Sequence, residues 1–231
     1  MDTIADRIAD PRALLLMLHG AGDHAEDFLR HGFIAALRER RIPVDVLAVQ
    51  ANSDLYLEKT MIARLHAEVV APALRAYPRP LPLWLAGISL GGMGAGLYAQ
   101  AHPRAVAGLL LLAPFFAVRG TIAEVTRAGG LAAWNPGEIM PDDEERGLLL
   151  WLKQWQRADG PAIRLGYGTN DRYAPASALL AARLPAADVM TCAGGHDWPT
   201  WQALWPRLLD GLQLQAQAQA KAAHHSGAGL S

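Results

Sequence analysis

The chain has 231 residues, of which 52% are hydrophobic, and its formal net charge at pH 7 is −1. This length is enough to bury one large α/β core and too short for two ordinary domains. A near-neutral charge gives no electrostatic reason to expect a nucleic acid or an anionic membrane surface as a partner. With a single cysteine, Cys192, the chain cannot form an internal disulfide or a cysteine-based metal cluster.

The N-terminal segment has no basic stretch followed by a long apolar run. Its apolar run, residues 13–18, has the length of a strand and is too short for a signal-peptide core or a membrane span. We therefore expect a cytoplasmic protein with no integral membrane part. The sequence gives no indication of the oligomeric state.

Short apolar runs alternate with amphipathic segments along the chain, which is typical of a parallel sheet covered by helices. The apolar runs predict strands over 13–18, 44–49, 81–87, 105–113, 162–168 and 187–192. The pattern therefore predicts an α/β fold, a three-layer α/β/α sandwich whose mostly parallel sheet has about six strands.

Helical periodicity fills most of the stretches between these strands. It predicts helices over 25–40, 58–77, directly after Ser89, about 143–156, about 176–183 and from about 197 onward. The segment 115–160 mixes loop signals with one helix, so we interpret it as an insertion between strands. Residues 1–215 are predicted to form a single domain, and the low-complexity residues 216–231 a disordered C-terminal tail.

One serine lies in a context that indicates chemistry. The letters GISLG at 87–91 match the pattern G-x-S-x-G, preceded by a predicted strand and followed by a predicted helix. Such a serine sits on a strained turn, where a Cβ atom on Gly87 or Gly91 would clash. Ser89 is the only one of the five serines in this context. The alternative is a glycine-rich turn without chemistry.

A serine nucleophile needs a base, and the base needs an orienting carboxylate. His196 follows the last predicted strand, and Asp171 follows the strand 162–168. Both positions are at carboxyl ends of strands, where an open α/β sheet builds its site. The alternatives are a histidine without chemistry at a helix start and an aspartate that only caps a helix. Asp197 is a rival carboxylate, although its position favours capping the last helix.

Acyl transfer also requires backbone donors for the developing oxyanion. We expect one from the N–H of Leu90, directly after the serine, and the other from Ala21 in the loop after the first strand, with Gly22 as second choice. His19 is interpreted as a structural residue whose ring hydrogen-bonds this loop. Phe115 and Trp198 are candidate substrate-binding residues, with Trp134, Tyr173 and Trp201 also near predicted site loops; core packing is the alternative for each.

The stretches LLLMLHGAGD, LWLAGISLGGMGAGLYA, LGYGTNDRYAP and AGGHDWPTW together cover roughly residues 13–205. In these stretches the chain resembles the α/β-hydrolase superfamily, particularly small bacterial esterases of the carboxylesterase and lipase type. The resemblance implies a Ser89–Asp171–His196 triad, oxyanion donors at Ala21 and Leu90, and no metal or cofactor. The usual N-terminal antiparallel hairpin and a large lid domain are both missing from the pattern.

The resulting hypothesis is a serine esterase that cleaves small-molecule carboxylic esters with short or medium acyl chains through an acyl-enzyme. Three alternatives remain open on the sequence. They are an acyltransferase or perhydrolase with the same triad, a thioesterase, and a hydrolase-fold binding protein without catalysis. A serine at position 89 excludes dehalogenases and epoxide hydrolases, which need an acidic nucleophile there.

Overall fold

The computed structural model describes residues 1–210 and 212. A seven-stranded sheet has the order β1-β3-β2-β4-β5-β6-β7. The strands are β1 Thr3–Asp6, β2 Ala13–Leu18, β3 Val44–Val49, β4 Leu83–Ile88, β5 Val106–Leu112, β6 Ala162–Gly168 and β7 Val189–Cys192. All neighbouring pairs are parallel except β1 with β3. The carboxyl ends of six strands therefore share one edge of the sheet.

The sheet has one strand more than predicted, because β1 pairs antiparallel with β3, with Thr3 opposite Val49. Four residues of mixed polarity, TIAD, form this strand, and their side chains alternate between exposed and half-buried. The strand has no apolar run because it lies at the edge of the sheet and buries little. The predicted sheet of about six strands therefore lacked this edge strand, which pairs with β3 and does not form a hairpin with β2.

Helices cover both faces of this sheet. Within residues 1–210 they include α1 Asp27–Arg30, α2 Phe33–Glu39, α3 Ser53–Leu57, α4 Met61–Arg64, α5 Ala71–Arg75, α6 Leu90–Ala101, α7 Arg119–Arg127, α8 Glu144–Gln154, α9 Ala174–Ala181 and α10 198–210. A π-helical turn, Leu65–Val70, joins α4 to α5, and a short 3-10 helix, Ala186–Asp188, precedes β7. The single helix predicted over 25–40 is broken at Gly32, whose φ of 75° suits glycine. The sequence patterns missed α3 and α7.

The core has two parts, one on each face of the sheet. Along β2, Leu14 and Leu16 belong to a cluster shared with α6 and α8. Leu15 and Met17 belong to a second cluster, shared with α1, α2 and α10. The period-2 alternation thus places helices on both faces, which confirms the predicted three-layer sandwich.

The segment 115–160 contains α7 and α8 and packs on the same core cluster as α6. Its polar contacts converge on Arg146, which donates to Glu124 Oε2 at 2.6 Å and to Asp143 Oδ2 at 2.9 Å. The indole of the buried Trp134 donates to Glu124 Oε1 at 2.8 Å. This network joins α7, α8 and the loop between them, and so fixes the segment beside the sheet edge where the strands end.

Among the residues described, no helix is long and apolar enough to cross a membrane. The predicted disorder of residues 216–231 lies outside the described residues.

Candidate active site

Ser89 lies on the turn between the end of β4 and the start of α6, with φ 51° and ψ −116°. A Cβ atom on Gly87 would lie 2.3 Å from the carbonyl oxygen of Gly91. A Cβ atom on Gly91 would lie 2.1 Å from the carbonyl oxygen of Leu18 on β2. Both distances are far below van der Waals contact, so the predicted steric need for glycine at these positions is confirmed. The turn holds Ser89 in a conformation that costs energy and that the surrounding backbone enforces.

The topology brings His196 and Asp171 to this serine. His196 lies in the loop between β7 and α10, and Asp171 in the loop after β6. The distance from His196 Nε2 to Ser89 Oγ is 2.9 Å, and that from His196 Nδ1 to Asp171 Oδ2 is 2.7 Å. The imidazole of His196 therefore hydrogen-bonds to Ser89 on one side and to Asp171 on the other. Along the sequence the three residues come in the order Ser, Asp, His.

The buried carboxylate of Asp171 decides how the imidazole is protonated. Its Oδ1 accepts the backbone N–H of Tyr173 at 2.7 Å, and its side chain is completely shielded from solvent. An ionised carboxylate only accepts hydrogen bonds, so Nδ1 of His196 carries the proton that Oδ2 receives. Nε2 is then the acceptor for the Ser89 hydroxyl, which is the orientation that a general base needs.

Aromatic rings fix the plane of the His196 imidazole. The Tyr173 ring packs edge-on at a centroid distance of 4.8 Å, and the Trp201 ring does so at 5.1 Å. The imidazole is mostly buried, with 14% of its side chain exposed. These contacts restrict rotation of the ring and leave its Ser89-facing nitrogen in place.

Asp197, the rival carboxylate, has a different role. Its Oδ1 accepts the backbone N–H of Thr200 at 2.9 Å, at the start of α10. Hydrogen bonds from Thr200 hold the pKa of Asp197 below its usual range. The helix-capping interpretation of Asp197 is thus confirmed, and the structure pairs His196 with Asp171.

The loop after β2 lies directly against the serine. A Cβ atom on Gly20 would be 3.4 Å from Ser89 Cβ, and Ala21 lines the same cavity as Ser89. Leu90 is the first residue of α6, so its N–H has no acceptor within the helix. Both predicted backbone donors therefore lie next to Ser89.

His19 holds this loop in place. Its Nε2 accepts the backbone N–H of Ala51 at 3.0 Å, so its Nδ1 carries the proton and donates to the carbonyl of Gly20 at 2.8 Å. Burial lowers the pKa of His19 and keeps its ring neutral. The interpretation of His19 as a structural residue is confirmed.

Two cavities flank the serine. The polar cavity, of about 480 Å³, is lined by Ser89 and His196 together with Asp23, Arg172, Asp197 and Trp198. The apolar cavity, of about 650 Å³, has an inner wall of Tyr56, Leu90, Met93 and Phe115. The backbone N–H of Phe115 donates to the carbonyl of Ser89 at 2.9 Å, so the second cavity begins immediately beside the nucleophile turn.

The candidate substrate-binding residues divide between these cavities. Trp198 lines the polar cavity, stacks on His31 at 4.2 Å and donates its indole N–H to Asp23 at 3.2 Å. Phe115 lines the apolar cavity. Trp134 is buried in the segment 115–160 and lines neither, so the alternative of core packing holds for it.

Sequence reasoning missed several cavity residues, including Asp23, Arg172, Tyr56 and Met93. Asp23 and Arg172 each follow a predicted site residue by one or two positions, so the motifs contained them without marking them. Tyr56 and Met93 come from α3 and from the buried face of α6. They carried no signal, because their place in a cavity depends on contacts between distant parts of the chain.

Comparisons with known proteins agree with this fold. The family model described as serine aminopeptidase, S33, matches residues 61–157, a stretch that contains Ser89 but neither Asp171 nor His196. No curated protein sequence gives a significant match to the chain. The mostly parallel sheet with helices on both faces and the similar solved structures show that the chain has the α/β-hydrolase fold.

Several solved structures are similar to the chain in fold, among them two esterases and a hydrolase. A ferulic acid esterase has a TM-score of 0.64 at 14% identity, covering 93% of this chain and 98% of its own. Est1E from Butyrivibrio proteoclasticus has a TM-score of 0.64 at 19% identity, covering 94% of each chain. The S-formylglutathione hydrolase FrmB from Staphylococcus aureus has a TM-score of 0.61 at 17% identity, covering 89% of this chain and 82% of its own.

Proposed function

We propose that the chain is a serine hydrolase that cleaves carboxylic esters through an acyl-enzyme formed on Ser89. The observation that carries the proposal is the hydrogen-bonded chain of Ser89 Oγ, the His196 imidazole and the Asp171 carboxylate, at 2.9 and 2.7 Å. Both distances lie in the range required of a nucleophile, its base and the orienter of that base.

In the acylation step, His196 Nε2 takes the proton of the Ser89 hydroxyl while Oγ attacks the ester carbonyl carbon. Asp171 holds the imidazole in the correct tautomer and stabilises the imidazolium that forms. The imidazolium then gives its proton to the departing alkoxide oxygen, and the alcohol leaves. In deacylation, His196 takes a proton from water, the resulting hydroxide attacks the acyl carbon, and the proton returns to Ser89.

The backbone N–H groups of Leu90 and Ala21 bind the oxyanion of each tetrahedral intermediate. Leu90 is suited to this because its N–H is at the N-terminus of α6, a helix of 12 residues whose dipole favours negative charge there. Ala21 is suited because Gly20 lets its loop approach the serine closely.

Two observations support an ester with a short or medium acyl chain as substrate. The apolar cavity beside Leu90 has about 650 Å³, which is within the usual range for small-molecule sites. Structural neighbours that are named as a ferulic acid esterase and as an S-formylglutathione hydrolase share the fold and are compatible with a small acyl substrate. A binding protein without catalysis would gain nothing from the buried Asp171 and the aligned imidazole.

The test is Ser89→Ala, assayed with p-nitrophenyl acetate and p-nitrophenyl octanoate. We expect kcat to fall by about 10⁶-fold, because the nucleophile of a serine hydrolase has no substitute. Ser53→Ala, at the start of α3 outside both cavities, serves as the matched control and should keep wild-type kinetics. Wild-type turnover by folded Ser89→Ala would overturn the proposal.

A further inference from the structure

The two cavities beside Ser89 differ in the chemistry of their walls. Charged residues line both cavities, but only in the polar cavity do they share the wall with Ser89 and His196, namely Asp23, Arg172 and Asp197. The charged residues of the apolar cavity are Lys59, Asp142, Asp143, Glu144 and Glu145. Carbon atoms dominate the wall of the apolar cavity near the serine, where Leu90 and Phe115 lie. The acyl side and the alcohol side of the scissile ester bond therefore face different environments, one in each cavity.

The position of His196 decides which side is which. It lines the polar cavity together with Ser89, and it is not among the residues that line the apolar cavity. In the mechanism proposed above, on which this inference rests, His196 protonates the oxygen of the departing alcohol. That oxygen must lie next to the imidazole, so the alcohol occupies the polar cavity. The acyl group then extends past Leu90 and Phe115 into the apolar cavity.

The lining of the apolar cavity combines exposed apolar side chains with the charged residues Lys59, Asp142, Asp143, Glu144 and Glu145. Leu57, Val118 and Met140 line the cavity and are 79%, 52% and 63% exposed. Exposed side chains of this size are otherwise represented in the described part of the chain by Leu29 alone. Clustering of exposed apolar side chains around one cavity is typical of a binding surface. An alkyl chain longer than the inner cavity would still contact them.

The polar cavity offers hydrogen-bond acceptors. Asp23 Oδ1 accepts the indole N–H of Trp198, and within residues 1–210 its Oδ2 accepts no hydrogen bond from the chain. Asp197 is exposed, and its Oδ1 accepts the backbone N–H of Thr200. Ionised carboxylates accept only, so they match hydroxyl donors on a ligand. Two carboxylates against the single guanidinium of Arg172 also disfavour an anionic alcohol.

We propose that the substrate is an ester of an apolar acyl chain of medium length with a neutral alcohol that carries further hydroxyl groups, such as a glycerol or sugar ester. The acyl chain occupies the apolar cavity, and the remaining hydroxyl groups of the alcohol donate to Asp23 and Asp197.

The alcohol side is tested with two octanoyl esters below their micelle concentrations, 1-octanoylglycerol and ethyl octanoate. We expect the wild type to prefer the glycerol ester in kcat/KM by about tenfold, the size of a hydrogen bond to a charged group. Asp23→Asn should lose most of this preference, measured as the ratio of the two kcat/KM values. Asp159→Asn, an exposed aspartate before β6 at the opposite end of the sheet, should keep it.

The acyl side is tested with p-nitrophenyl octanoate and p-nitrophenyl acetate. Met140→Asp removes an exposed apolar side chain from the lining of the apolar cavity and adds a carboxylate to the four already there. It should lower the octanoate-to-acetate ratio of kcat/KM by about fivefold or more. Leu29→Asp makes the same kind of change at an exposed site outside both cavities and should leave the ratio unchanged. Equal ratios in Met140→Asp and the wild type would overturn the acyl assignment.

These experiments distinguish a failure of the substrate assignment from a failure of the proposed serine hydrolase function. If the wild type hydrolyses p-nitrophenyl esters but prefers ethyl octanoate to 1-octanoylglycerol, the assignment of the alcohol is wrong and the serine hydrolase stands. A preference for an octanoyl ester of lactate would mean that Arg172 selects an anionic alcohol, which also overturns it. If no ester is hydrolysed by folded protein, the proposed function fails as well.

Discussion

The turn around Ser89 and the segment 115–160 border the same cavity but are built in different ways. The turn is fixed by backbone contacts, because side chains at Gly87 or Gly91 would overlap carbonyl groups of neighbouring elements. The segment 115–160 is fixed by side chains, chiefly the contacts of Glu124 with Arg146 and Trp134. We infer that the Ser89 turn, which tolerates few substitutions, carries the chemistry. The segment 115–160, whose side chains can be substituted, determines which substrate binds.

The largest effect is expected for Asp171→Asn, which alters the catalytic groups and leaves the Ser89 turn intact. An asparagine can present its N–H₂ to His196 and stabilise the wrong tautomer, so we expect kcat to fall by about 10⁴-fold. The thermal midpoint should change little by comparison. Asp197→Asn, one residue beyond His196, should cost less than about tenfold on p-nitrophenyl acetate, because it leaves the imidazole paired with Asp171.

The reverse outcome, with Asp197→Asn the more damaging of the two, would show that the orienting carboxylate has been assigned wrongly. Circular dichroism on both variants identifies any loss of fold.

The backbone origin of the turn is tested by Gly91→Ala. The new Cβ atom would meet the carbonyl oxygens of Leu18 and His19 at 2.1 and 2.7 Å, so β2 or α6 must shift. We expect a loss of about 3 kcal/mol or more in the free energy of unfolding, measured by urea denaturation.

Gly120→Ala is the matched change in the segment 115–160. A Cβ atom on Gly120, in the first turn of α7, would have nothing within 4 Å of it. The substitution should stabilise the protein by roughly 0.4–1 kcal/mol. Equal effects of the two alanines would contradict the steric account of the turn.

Glu124→Ala tests whether side-chain contacts hold the segment 115–160 in place. The variant leaves the buried indole N–H of Trp134 without its acceptor and removes one partner of Arg146, which should cost about 1–3 kcal/mol in unfolding free energy. Activity on p-nitrophenyl acetate should stay within about twofold, since the Ser89 turn is not touched. Glu124→Gln keeps an acceptor for the indole and should recover part of the loss.

If Glu124→Ala instead abolished activity on the small ester while remaining folded, the segment would be part of the reacting site and the comparison would fail.

The smallest effect concerns pH and the loop that supplies Ala21. Burial lowers the pKa of His19 in the folded state. Below about pH 6.5 the unfolded chain therefore binds a proton at His19, and the folded chain does not. This contribution to stability is present above that pH and is lost as the pH falls, with a slope of at most about 1.4 kcal/mol per pH unit.

The pKa of His102 is also lowered, chiefly by burial and secondly by the charge of His66. Both histidines therefore contribute to the slope of stability against pH in the wild type. His19→Gln should reduce the slope between pH 7 and pH 5, measured by urea denaturation at each pH. An unchanged slope would show that His19 does not remain neutral on folding.

The parts of the fold that could be predicted from the sequence are those with strong local signals. The runs forming β2 and β3 were located to the residue, because strands buried on both faces read as nearly continuous apolar segments. The partly buried β6 was located to the residue as well. The edge strand β1 and the five-residue helix α3 were missed, since short elements that bury little carry no such pattern.

The site divides in the same way. Ser89 could be predicted because its turn requires glycines at fixed positions, and Asp171 and His196 because parallel strands end at a common edge. The cavities could not, because Tyr56, Met93 and Phe115 meet only through packing between distant elements. Their role depends on distances that no local pattern encodes.

The most direct test of the central claim is reaction of the folded protein with a fluorophosphonate, followed by mass spectrometry of its peptides. We predict one label per chain, located on Ser89, with labelling strongly slowed in His196→Ala and absent in Ser89→Ala. A folded wild type that takes up no label, or a label that persists in Ser89→Ala, would contradict it.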